Sequence, residues 1–431
     1  MPFLTDLDSR AAIKGSRDPL GLVPVWSRLG RGVVGNLTTV SNSVRGFTTL
    51  LLGHYFAEAV HERPGGRDQS TLELFLKFEQ LAAYVRYHVN KDGEFRGHDR
   101  VLARLAKGPK VTLGADTTDQ ILGNQKVYGL WGLFSVPARA SGLLEPDETV
   151  LTPVAREFVE RQYIRRLAAD GFKDGRAIID LLRRKRADVF LAGRDSRLAE
   201  SLARILAPKV SAAEQEFYDR HLVDGGPEDR TQGRQPLLAD LLGHLPADTA
   251  FSMPELRETT RRASRVPGGE PLAERLEAIG KVEQLLVPME SVFGFLQSRD
   301  RQPVVAVADE VRRAWGRSLR HVDPTAIAAV RPTIAEAFQD SRAADRFVLT
   351  AEAFTAGDYG EAIQFLIDHN AFVMQARNGS QPWVRLEGGK LDVRYRDESG
   401  WLLPAEELPD YWRSTYFINS LKRVVTTLSA A

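Results

Sequence analysis

The 431-residue chain contains no cysteine. That single absence excludes disulfides, thiolate metal sites and cysteine nucleophiles, and it fits a reducing, cytoplasmic setting. Long apolar runs are missing as well. Phe47 to Tyr55 is interrupted by Thr48, Thr49, Gly53 and His54 and falls short of the roughly 20 residues that span a bilayer, so no membrane segment is expected. Met1 to Arg10 carries acids and an early arginine in place of the apolar core of a signal peptide. Net charge is nearly absent, because 58 basic and 57 acidic side chains leave +1, and any attraction for a polyanion has to come from a local patch. The composition, 43% hydrophobic and 27% charged, lies outside the regime of disorder, and the length accommodates two or three domains.

Motifs that would declare an enzyme are also lacking. There is no G-x-x-x-x-G-K-[ST] loop and no G-x-S-x-G elbow. His61-Glu62 opens an H-E-x-x-H pattern, but Gly65 stands where the second histidine belongs. Gly30, Gly32 and Gly35 make one G-x-G-x-x-G; a dinucleotide site needs a strand before it and a helix after, whereas here a helical pattern precedes and a Thr/Ser/Asn-rich stretch follows. The three glycines therefore read as a turn closing a helix. His88, His98 and Asp99 form the one local cluster with metal-ligand chemistry and read as surface groups. Glu387, Lys390 and Asp392 invite comparison with metal-dependent nuclease cores, but their spacing is wrong and they flank a Gly-Gly turn where charges are solvated. No catalytic residue, metal or cofactor is assigned.

What is present is mostly helical periodicity. An Asp18-Pro19 start opens a helix carrying Trp26 and Leu29, and Val44 to Val60 is apolar enough for a buried helix. Leu72, Phe75, Phe78, Leu81 and Val85 recur at three- and four-residue spacing, which predicts an amphipathic helix packed on it. Helices near 117–125, 128–140 and 154–167, with an acidic turn and the strand-like Val150-Leu151 between the last two, resemble a winged-helix module over about 117–168. Helical pattern continues from 170 nearly to 374, with the longest stretch over 270–300 and a kink expected at Pro288. Phe372 to Met374, Trp383 to Leu386 and Leu391 to Tyr395 read as short strands around the turn signals Asn378-Gly379 and Gly388-Gly389. Trp412 to Val425 reads as a closing helix. The fold class is mainly α. The Gly-, Pro- and charge-rich stretch 225–233 reads as a linker between a helical domain at 1–224 and a second at 234–431 that carries the hairpin.

Charge placement is the most informative functional signal. Between Pro153 and Lys209 stand 14 basic and 8 acidic side chains, a local excess of +6, densest at Arg183-Arg184-Lys185-Arg186. Such an excess after a winged-helix-like segment suits contact with phosphates. Arg161, Arg165, Arg183, Arg184 and Arg186 are the candidate phosphate contacts, and Arg139 the candidate groove-facing residue of a recognition helix. The competing reading is a charged helix face meeting acidic side chains of its own chain or of a protein partner.

Asp18-x-Leu20-Gly21-Leu22, Trp26-Ser27, Gly35-Asn36-Leu37-Thr38-Thr39 and Val44-Arg45 resemble the N-terminal pattern of uncharacterised helical proteins from bacterial anti-phage defence islands. The resemblance covers about thirty residues, with a fainter likeness over Trp412 to Leu421. It implies a helper subunit working beside a helicase, nuclease or ATPase encoded elsewhere, and it transfers no catalytic residue. The expectation is a non-enzymatic DNA-binding or assembly subunit whose partners are double-stranded DNA and other proteins of a multi-subunit complex. The alternatives are a protein-interaction scaffold and a metal-dependent nuclease.

Overall fold

The computed structural model describes residues 18–246, 249–377, 379–397 and 400–430, so the readings on Met1 to Arg10 and on Asn378 lie outside it. The fold is mainly α, with two small two-stranded antiparallel sheets among the described residues. None of the described helices is long and apolar enough to cross a membrane. The chain forms two units. The first combines the segment up to Val33 with Ala250–Tyr416, and the second combines Val34–Thr249 with Phe417–Ala431. Residues 225–233 therefore fall inside the second unit. Their composition encodes a tight turn, in which the Asp229 carboxylate accepts from the N–H groups of Thr231 (3.1 Å) and Gly233 (2.5 Å).

In the first unit, the helix Glu270–Leu296 is the spine. Leu272, Leu276, Ile279, Val282 and Leu286 recur along its buried side, and it continues through Pro288 without ending. The helices Leu22–Arg31, Met253–Ala263 and Tyr359–Ala376 pack against it. Glu283, fully buried on this spine, accepts the N–H groups of Arg413 and Ser414 (both 2.7 Å) and the hydroxyl of Tyr416 (2.8 Å). Those bonds hold residues 413–416 in a non-helical path, so the closing helix begins only at Ile418, later than the periodicity suggests. The expected C-terminal hairpin is present as strands Val384–Glu387 and Lys390–Val393 around Gly388-Gly389. Phe372 to Met374, expected as a strand, is instead the last turn of the helix Tyr359–Ala376, because Val373 and Met374 complete its buried stripe.

Gly357 ends the helix Ser341–Ala356 at φ 78°, and a Cβ there would lie 1.6 Å from the carbonyl oxygen of Arg317. A left-handed backbone costs an L-residue roughly 1–2 kcal/mol, and here the obstacle is rigid main chain. Gly357→Ala is expected to lower the urea unfolding free energy of the first unit by more than about 3 kcal/mol. A loss below about 1 kcal/mol, typical of a relaxed glycine cap, would contradict this close approach.

The second unit is built on a helical hairpin, Val44–His61 and Thr71–Asn90. Ser70 and Glu73 form a capping box at the start of the latter helix. Gly53 faces Phe75 at a place where a Cβ would lie 2.8 Å from the ring, so the two helices approach closely. The helices Leu130–Ala140, Pro153–Val159, Arg176–Arg183 and Ser196–Ile205 pack on this hairpin, and Ile418–Ser429 packs on Arg234–Gly243.

Two details differ from the sequence reading. Arg186–Phe190, inside a stretch expected to be helical, is a strand paired with Lys110–Gly114; Val111, Leu113, Ala187 and Val189 face inward, and Gln80 bonds both the N–H and the carbonyl of Gly114. Within 117–168 the helices Gln125–Tyr128, Leu130–Ala140 and Pro153–Val159 form, the last continuing through a π-helical turn to Ala169. A single bridge, Leu144 to Leu151, stands in place of a paired wing. The glycines at 30, 32 and 35 close the helix Leu22–Arg31 and open a turn, as read.

Candidate functional site

The densest cationic run owes its position to a buried lysine. The helix Arg176–Arg183 ends with carbonyls that have no helical partner. Lys77 donates to the carbonyls of Leu182 and Arg184 and to the side chain of Gln69, whose amide in turn donates to Leu182 (3.2 Å) and Arg183 (2.8 Å). Burial pushes the Lys77 ammonium down to about 8, which leaves it still largely protonated at neutral pH. This clasp brings Arg183, Arg184 and Lys185 beside the loop that joins the two hairpin helices, where Arg183 donates to the Pro64 carbonyl at 2.8 Å. That loop carries Arg63 and Arg67. All five cationic side chains are exposed, and among the described residues none has a carboxylate within 4 Å. The acids that adjoin this corner are Glu62 and Asp68, sequence neighbours of Arg63 and Arg67, and Glu73, which is committed to capping Ser70.

The other expected contacts are placed differently. Arg186 is bound to Asp119 at 2.8 Å, and Arg161 pairs with Glu157 at 3.4 Å. Arg165 is exposed and has no carboxylate within 4 Å among the described residues, on the same rod as Arg161. The Tyr163 hydroxyl from that rod reaches the Glu214 carboxylate bound to Arg45, at the first turn of Val44–His61, whereas Arg183 sits past that helix's other end. The structure thus gathers Arg183 and Arg184 with Arg63 and Arg67, and leaves Arg161 and Arg165 apart. Arg139 reaches the Glu148 carbonyl at 3.3 Å and acts electrostatically on buried His54, so it belongs to the wall behind the hairpin. Arg156, Arg176, Arg194 and Arg204 each meet a carboxylate within 4 Å.

Glu387 and Asp392 lie 3.1 and 3.4 Å from the Arg301 guanidinium, and Asp392 also meets Arg385 at 2.8 Å. His98 packs edge-on to Tyr87 and Phe95. Among the described residues no group of three or more His, Asp or Glu is placed to hold a metal ion.

A feature invisible in the sequence is a cavity of about 900 Å³ within the second unit. Its walls come from residues 39–49, the second half of Thr71–Asn90 with the loop 91–96 that follows it, Ile121, the helix Leu130–Ala140, Pro208 and the closing helix. Six separate segments contribute, none with a motif of its own, and only their packing creates the space. Two guanidinium groups, of Arg45 and Arg86, and two carboxyls, of Glu79 and Asp92, are buried in its walls. Arg86 is held by Asp92 and the Glu94 carbonyl, and Arg45 by Glu214. Glu79 accepts from Leu130 N–H (2.7 Å) and Gln125 (2.7 Å), and burial raises its carboxyl to about 7.

No protein family, curated protein or solved structure matches the chain at a significant level.

Proposed function

We propose that this protein is a non-enzymatic, cytoplasmic subunit of a bacterial defence or DNA-processing assembly that holds the phosphate backbone of double-stranded DNA. One observation supports this reading above the others: Arg63, Arg67, Arg183, Arg184 and Lys185, from two distant stretches of chain, share one exposed corner without carboxylate partners. Cations already paired with carboxylates gain little by meeting a phosphate, whereas unpaired ones release counterions from the duplex. The corner offers charge and no groove-reading helix, so the contact is independent of base sequence.

The experiment is a salt titration of duplex binding. Five contacts give an expected slope of log affinity against log salt of about −4.5, at about 0.9 per phosphate. Neutralising the five side chains to glutamine should flatten that slope to near zero, while Arg161→Gln with Arg165→Gln should leave it essentially unchanged. Absence of binding at low salt would reject the DNA reading and leave an acidic protein surface as the partner of this corner.

A further inference from the structure

We propose that the cavity of the second unit is a binding chamber for a small organic anion that carries an apolar, ring-containing body. Protein interiors pack densely and leave few voids larger than a water molecule, whereas ligand pockets occupy roughly 300–1,000 Å³. At about 900 Å³ this space belongs with the pockets. Ala82 and Ala83 present little side chain to it from one helix, while Gly46 on the facing helix makes room for the Phe134 ring. Even a Cβ at Gly46 would come within 2.6 Å of the Phe134 ring, so the wall there is closely fitted and the space lies beyond it.

The lining divides by chemistry. Val44, Ala83, Ile121, Leu130 and Phe134 supply an apolar interior. Lys91, Arg96 and Arg423 are exposed members of the lining and mark its open side. Among the described residues Arg96 has no carboxylate within 4 Å; Lys91 donates to the His88 carbonyl (2.8 Å), and Arg423 pairs with Glu94 (2.7 Å). Of the five basic side chains that line the chamber, Arg45, Arg86 and Arg423 are balanced by Glu214, Asp92 and Glu94, which leaves Lys91 and Arg96 against Glu79. Glu79 titrates near neutrality, so the local field is positive. A cation would be repelled from this lining, and a neutral lipid would leave the mouth cations unused. None of the cations of the exposed corner lines this half-open space, so the chamber is a site separate from that corner. An anionic head at Lys91 and Arg96 with a flat body against Ala83 and Phe134 uses both parts of the surface.

Two fluorescent probes of the same body test this on the full chain: 1-anilinonaphthalene-8-sulfonate, which carries the anion, and N-phenyl-1-naphthylamine, which does not. The sulfonate is expected to bind the folded protein. Lys91→Glu with Arg96→Glu, both at exposed positions, should weaken the sulfonate at least about tenfold and leave the neutral amine within about twofold. Thr427→Trp, a half-buried change on the closing helix, should narrow the chamber and weaken both probes while the melting temperature is kept. The proposal is overturned if the folded wild type leaves the sulfonate dark, if charge reversal weakens both probes alike, or if neither substitution alters sulfonate binding. Because DNA binding is read at the other corner, either result can fail without the other.

Discussion

Glu214→Ala is expected to lower the unfolding free energy of the second unit by about 3–5 kcal/mol, the cost of leaving a buried cation unpaired. Glu214 does three things at once. It meets the Arg45 guanidinium, whose side chain is 5% exposed against 3% for its own; it accepts the Tyr163 hydroxyl at 2.9 Å; and it closes a capping box with Ser211 at the start of the helix Ala212–Tyr218. Burial opposes both charges, yet pairing prevails: the guanidinium is raised and the carboxyl lowered from their ordinary values. Arg45 also reaches the carbonyls of Ala207 and Lys209, so removing the carboxylate strands a cation already surrounded by acceptors it cannot leave. Glu214→Gln keeps the shape and the cap and isolates the charge, and should cost less than alanine but more than about 1 kcal/mol. Replacing both partners by apolar residues, Arg45→Met with Glu214→Leu, should recover much of the loss. Urea unfolding of the four proteins measures all of this; equal stability of Glu214→Ala and wild type would sink the account of the pair.

Acid is expected to unload the first unit through His369. This imidazole is fully enclosed, donates from Nε2 to the Leu20 carbonyl (2.8 Å), accepts at Nδ1 from Arg346 (3.3 Å), and is surrounded by Phe338, Phe347 and Phe372. Desolvation first, and the Arg346 charge second, pull it down to about 3 from an ordinary 6.5. The unfolded chain therefore takes up the proton before the folded one. The contribution is complete above pH 6.5 and falls by about 1.4 kcal/mol per pH unit below it, reaching about 3 kcal/mol at pH 4. Glu283 and Glu290, whose carboxyls burial raises, act in the opposite sense, so the readout is the difference between proteins. His369→Gln, which retains a donor and an acceptor, should remove that part of the slope between pH 6.5 and 4. An unchanged slope in the variant would show that this histidine is not what titrates.

How far the sequence could be read depended on the range of the interactions involved. Val44–His61 is legible from its apolar run, Thr71–Asn90 from its three- and four-residue apolar spacing although 74–86 are buried on every side, and Glu270–Leu296 from a stripe of the same spacing. The Gly388-Gly389 hairpin is legible because its turn is local. Arg186–Phe190 was hidden, since a five-residue strand pairing with a partner some seventy residues earlier has no local signature. The stretch 225–233 has the composition of a linker, and only the bonds from Asp229 make it a turn within a packed unit.

The candidate site shows the same division. Composition alone settled that this chain has no thiol chemistry, and spacing alone disclosed the basic run at 183–186, because both are properties of residue identity. Which of those cations stay free was a tertiary decision. Asp119 claims Arg186 from a different strand-and-loop segment, and Lys77 clasps the helix end so that Arg183 and Arg184 face the loop bearing Arg63 and Arg67. The chamber belongs wholly to tertiary structure. A void is bounded by side chains from six segments, and its volume is set by how closely helices approach, a quantity that no single stretch of sequence carries.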